Sequence, residues 1–163
     1  MTFGFRSVAV NKTYIRPHME YFVQAWSPHL QKDIQILEKV QRAATKIVPY
    51  LKKYSYDDRL SQLGLTTLET RRRRGDLIEV FKIMTDRENL DKNLFFQLAT
   101  SGYGLRGHSL KLAVSRCRLD IRKHSFSHRV VTDWNRLPEY VVMSPSVNAF
   151  KSRLDKHWTD MGI

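Results

Sequence analysis

Two prolines frame the segment that most limits what this chain can fold into. Between Pro28 and Pro49, Leu30, Ile34, Leu37, Val40 or Gln41, Ala44 and Ile47 recur every three or four residues, the period of one face of an α-helix. Ser27 is placed to cap such a helix. Pro28 suits a first turn, where a missing N–H costs nothing, and Pro49 stops the run. A helix this long must bury a face, so the spacing predicts a mainly α fold. Upstream, residues 14–26 also read as helical, with Pro17 near the start and Tyr14, Met19, Phe22, Val23 and Trp26 packing on the long helix.

Downstream elements follow from local signals. Ser55 followed three residues later by Asp58 is a capping box for a short helix, Tyr56 to Leu63, which Gly64 closes in the left-handed conformation. Thr66-Thr67-Leu68-Glu69 reads as a second capping box opening a helix to about Met84, with Leu68, Leu77, Val80, Phe81 and Met84 inward. The polar, acidic run Thr85 to Asn93 and the glycines at 102, 104 and 107 mark a flexible joint. Residues 109–114 and 117–122 are predicted to pair as short strands, the second alternating apolar and charged residues. Two helices end the chain. Ser125 to Leu137 carries Phe126, Val130, Trp134 and Leu137 on one face, and Ser144-Pro145 opens a helix striped by Val147, Phe150, Leu154 and Trp158.

Charge narrows the function. The 163 residues hold 28 Lys+Arg against 16 Asp+Glu, a formal net charge of +12, which favours a polyanionic partner. The surplus is uneven: residues 50–75 carry seven basic and three acidic side chains, and residues 100–136 carry eight and two. The segment between them, 76–99, has three basic and five acidic side chains. One cysteine, Cys117, excludes an internal disulfide and fits a reducing compartment. No apolar run reaches the ~18 residues of a membrane span, and the first residues lack the core of a secretory signal. The expected setting is intracellular, nucleus or cytoplasm, with no membrane partner.

Catalytic and metal motifs fall short. Tyr54-Ser55-Tyr56-Asp57-Asp58 sets two carboxylates beside an aromatic, as two-metal polymerases do, but its flanks read as loop and helix instead of apolar strands. Asp57 and Asp58 are therefore expected at a helix start, where acidic side chains suit the positive end of the dipole. Cys117, His124 and His128 lack the fourth ligand of a structural zinc site. No catalytic residue, metal or cofactor is expected. Arg71-Arg72-Arg73-Arg74 is the sharpest charge cluster. It reads either as a phosphate-contacting face or as a solvated face with Arg72 and Arg73 paired to Asp76 and Glu69. Arg116, Arg118, Arg122, Lys123 and Arg129 form a second group, with Arg118 and Arg122 sharing strand parity.

Several runs carry a family resemblance. Ile15-Arg16-Pro17-His18-Met19-Glu20-Tyr21, Gln24-Ala25-Trp26-Ser27-Pro28, Leu63-Gly64-Leu65-Thr66-Thr67-Leu68-Glu69, Arg106-Gly107-His108 and Trp134-Asn135-Arg136-Leu137-Pro138 occur in this order. Together they resemble the region after the polymerase active site in non-LTR (LINE-class) retrotransposon reverse transcriptases of the chicken-repeat and jockey types. The likeness runs from about Tyr14 to Trp158 and leaves residues 1–12 outside it. It implies a helical thumb-like bundle over 13–88, a joint over 89–108, and a basic extension over 109–163 with a small β element and two helices. In that family the catalytic palm lies upstream of the matching region, so the resemblance implies a non-catalytic chain. It also implies that Arg71, Arg72, Arg73 and Arg74, with Arg106, Arg118 and Arg122, contact RNA or RNA–DNA hybrid without sequence preference. Trp26, Trp134 and Pro138 match the pattern as core or turn residues. The competing expectation is an inert or interaction-only fragment that self-associates through helices lacking their palm.

Overall fold

The computed structural model describes residues 11–99 and 107–162, so Arg106, most of the N-terminal segment and the glycines at 102 and 104 lie outside the described residues. The described chain is mainly helical, with eight α-helices and no sheet. It divides into two compact units, up to Arg72 and from Arg73 onward. The boundary lies inside a helix, and the described residues of the 89–108 stretch, 89–99 and 107–108, belong to the second unit.

The first unit holds a π-turn at Asn11–Ile15, α1 (Arg16–Glu20), α2 (Gln31–Lys46), a 3-10 turn at Pro49–Leu51, α3 (Tyr56–Leu63) and the first residues of α4 (Leu68–Met84). α3 has the bounds its caps predict. Ser55 Oγ accepts from the Asp58 N–H at 3.2 Å, and Gly64 ends the helix at φ +58°. The 14–26 helix, in contrast, stops at Glu20. Tyr21 is extended, Phe22 turns to φ +53°, and Trp26 Nε1 donates to the Tyr21 carbonyl at 2.9 Å. The indole thus takes an oxygen that a continuing helix would use. α2 begins at Gln31 without a side-chain cap, so Ser27 and Pro28 precede it and do not start it. At α4 the capping hydroxyl is that of Thr67, which accepts from Thr70 N–H at 3.1 Å, with no part played by Glu69.

Polar groups fill much of this unit's interior. Gln41, Thr45 and Arg59 are buried beside Ala44, Val48, Leu51 and Leu60. Gln41 Nε2 donates to Tyr56 Oη and to the Thr66 carbonyl, both at 3.0 Å. Tyr56 Oη donates to Glu38, whose other carboxylate oxygen accepts from Leu68 N–H at 3.1 Å and so caps α4. Arg59 donates to Thr45 Oγ1 at 3.1 Å and to the Tyr54 carbonyl at 2.6 Å. Burial, followed by the hydrogen bond to Glu38, raises the Tyr56 phenol above its ordinary value of 10.0.

The second unit continues α4 and adds a 3-10 turn at Lys92–Leu94, α5 (Asp120–Lys123), α6 (Phe126–Asn135), α7 (Glu139–Val142) and α8 (Val147–Asp160). Its core is apolar. Trp134, Phe81 and Phe150 are fully buried, with Phe81 and Phe150 stacked at 4.4 Å between ring centroids. Every inward position predicted for α4, α6 and α8 is buried, except that Val147 is only partly so. α8 is capped by Ser146, whose hydroxyl accepts from Ala149 N–H at 3.1 Å. The sequence pattern gave no sign of α7.

The predicted pair of strands does not form. Leu112 makes an isolated antiparallel bridge with Leu98 instead. On the other edge of Leu112, the Asn135 amide accepts from its N–H and donates to its carbonyl, both at 2.8 Å, as a neighbouring strand would. Residues 120–123 are helical, and the apolar members of the alternation, Leu119 and Ile121, are 71% and 85% exposed. A period of two stabilises a strand only when one face is covered, and no such cover exists here.

Candidate nucleic-acid interface

The second basic block gathers around α5. Asp120 in its first turn and Arg122 and Lys123 in its last complement the helix dipole, which favours a single turn here over a strand. Arg116 and Arg118 precede it in irregular chain. All four cations are exposed. Because Arg118 lies in irregular chain and Arg122 on a helix, strand parity does not place them on one face.

Arg122 and Lys123 border a groove of about 490 Å³ whose walls include Phe95, Ser115, Ser127 and His128. Phe95 is 37% exposed, and His128 Nδ1 lies 3.1 and 3.2 Å from the hydroxyls of Ser125 and Ser127. Cations beside a partly open aromatic ring and hydroxyl donors suit a phosphate-linked chain with a base to stack. Sequence reasoning missed Phe95, which sits in the stretch read as a flexible joint. The apolar run Leu94-Phe95-Phe96 after the polar residues 91–93 was the available signal, and Phe96 is buried.

Arg129 stands apart from this group. It forks onto the buried Asp76 at 2.9 and 3.0 Å. That bidentate pair engages both carboxylate oxygens of Asp76.

The four consecutive arginines are engaged within the chain. In the first unit, Arg71 forks onto Glu20, and Arg72, only 4% exposed, donates to the Met19 carbonyl at 3.1 Å while lying 5.3 Å over the Trp26 ring. In the second unit, Arg73 forks onto Asp133 at 3.0 and 3.1 Å and Arg74 onto Asp155 at 2.6 and 2.8 Å. Neither Glu69 nor Asp76 supplies these contacts. A phosphate reaching Arg71, Arg73 or Arg74 would compete with a bidentate carboxylate, which sets this cluster apart from Arg118 and Arg122.

Asp57 and Asp58 occupy the first turn of α3, and Ser55 Oγ donates to Asp58 Oδ2 at 2.6 Å. Among the described residues no cluster of His, Cys, Asp and Glu could hold a metal ion. Nor is any helix among them long and apolar enough to cross a membrane. A first-unit cavity of about 430 Å³ mixes Glu38, Asp57 and Glu69 with Lys39 and Arg42, so its charge favours neither sign.

Two runs behind the family resemblance meet in the second unit. His108 Nε2 donates to the Trp134 carbonyl at 3.1 Å, and Trp134 Nε1 donates to the Leu110 carbonyl at 2.7 Å. His108 is 2% exposed, and burial holds its imidazole below the ordinary value of 6.5. The chain matches no family model, no curated protein and no solved structure, and nothing in these comparisons links it to a reverse transcriptase.

Proposed function

We propose that this chain is a non-catalytic nucleic-acid-binding element, a thumb-like remnant of a retrotransposon reverse transcriptase acting in the nucleus or cytoplasm. It grips RNA or RNA–DNA hybrid by the backbone and ignores base sequence. The observation that carries this reading is the exposed pair Arg122 and Lys123 on the Phe95 groove, with exposed Arg116 and Arg118 just before them in the chain, in a chain of net charge +12. Phosphate neutralisation by such cations gives salt-dependent affinity. Arg71 to Arg74 contribute less, because their donors already serve Glu20, Asp133, Asp155 and the Met19 carbonyl.

Fluorescence-anisotropy titration against RNA, duplex DNA and hybrid at two salt concentrations tests it. Log affinity should fall with log salt at about −0.9 per phosphate neutralised on duplex DNA, and Arg118→Ala with Arg122→Ala should reduce the slope by about two units. An unchanged slope would overturn the proposal. The rival reading, an interaction-only fragment, draws on one observation: Tyr21, Phe22, Ile36 and Ile47 in the first unit are each more than half exposed, at 73%, 61%, 56% and 68%.

A further inference from the structure

α2 turns apolar residues to solvent. Gln41, Ala44 and Thr45 are its buried positions, while Ile36, Val40 and Ile47 are exposed, with exposed Ala43 between them. Positions 36, 40, 43 and 47 are spaced four, three and four apart, the seam along which one helix receives another. At about 100° per residue these four fall within about 60° of arc. Lys32, Lys39 and Lys46, all exposed, repeat every seven residues along the border of that stripe. None of the three forms an ion pair among the described residues.

From this pattern we infer that the outer face of α2 docks an acidic amphipathic helix of a partner protein. Its apolar residues would lie on Ile36, Val40 and Ile47, and its glutamates or aspartates would meet Lys32, Lys39 and Lys46. Charge selects this occupant over a second copy. Two α2 helices side by side and antiparallel bring the lysine rows together, and parallel they set each row against Leu37 and Ala44, which carry no charge. A nucleic acid would use the lysines but leave the branched aliphatic side chains without a partner.

A synthetic 21-residue helical peptide with leucines at four-three-four spacing and flanking glutamates, fluorescently labelled, is titrated against the full chain. A matched peptide carries lysine in place of every glutamate. The acidic peptide should bind at least about tenfold more tightly, with the advantage shrinking as salt rises. In the Lys32→Glu, Lys39→Glu, Lys46→Glu variant the preference should reverse. In the Ile36→Ser, Val40→Ser variant, checked for helicity by circular dichroism, both peptides should bind weakly. Equal binding of the two peptides, or no reversal by the lysine variant, would overturn the inference. So would a dimer in sedimentation that the Val40→Ser change dissolves, or RNA binding that depends on Ile36 and Val40. Because the lysine changes lie on an exposed face, that reversal remains readable even if the serine variant fails to fold.

Discussion

In the second unit Trp134, Phe81 and Phe150 are buried together, whereas in the first unit the most deeply buried residue of α2 is a glutamine, Gln41. The second unit derives its cohesion from apolar area, at roughly 25 cal/mol per Å² removed from water. The first relies more on a hydrogen-bonded set, Gln41 with Tyr56, Glu38 and Thr66, and Arg59 with Thr45, each bond netting only about 1 kcal/mol. Arginines sharpen the contrast. Arg129 meets both oxygens of the buried Asp76, but Arg16, 7% exposed, leaves its Nε and Nη2 without an acceptor among the described residues, and burial, with Arg71 nearby, lowers its pKa. The second unit thus closes on apolar side chains drawn from Leu77 to Trp158, whereas the first mixes buried Gln41, Thr45 and Arg59 with Val48, Leu51, Leu60 and Leu68.

The largest expected effect lies in the apolar core. Trp134→Ala should destabilise the second unit by about 3–5 kcal/mol, since it leaves a cavity and removes the donor to the Leu110 carbonyl. Ile36→Ser on the outer face of α2 should change stability by no more than about 0.5 kcal/mol. Urea unfolding followed by far-UV circular dichroism reads both, and a comparable loss in the two variants would erase the distinction.

Buried charge comes next, with opposite signs in the two units. Arg129→Met removes the bidentate cation from the buried Asp76 carboxylate and should cost about 3 kcal/mol or more. Arg16→Met removes a guanidinium with unmet donors and should stabilise the first unit, by about 1 kcal/mol. Melting temperatures of the two single variants give the signs directly.

These differences were only partly legible in the sequence. α3 could be read to the residue because Ser55, Asp58 and Gly64 act within a few positions of it. Which face of α2 turns inward could not, since Val40 and Gln41 both fit the periodicity. The choice of Gln41 depends on Tyr56 and Thr66, 15 and 25 residues away. The partners of Arg71, Arg73 and Arg74 lie 51, 60 and 81 residues away, beyond any helical spacing rule. The alternation over 117–122 failed because that rule assumes a covered face. The groove was hidden because its walls come from residues 93–97, 113–123 and 127–132, which no local pattern brings together.

The smallest expected effects are those of pH, and they separate the units by direction. Tyr56 keeps its proton in the folded state beyond its ordinary value, so its contribution is intact below pH 10 and is lost as pH rises above it. His108 resists protonation when folded, so its contribution is intact above pH 6.5 and is lost as pH falls below it. Hydrogen exchange at the two extremes should therefore show α3 loosening in alkali and α6 loosening in acid. Tyr56→Phe and His108→Gln should each flatten the corresponding slope.

The difference between the two interiors is tested most directly by peptide-resolved hydrogen–deuterium exchange on the isolated 163-residue chain at neutral pH. Amides of α2 over residues 36–46 should exchange much faster than those of α6 and α8 over 130–135 and 150–158, because only the latter sit on a closed apolar core. Equal protection of α2 and α6 would contradict the account, since it would mean that the polar interior of the first unit holds as firmly as the apolar one.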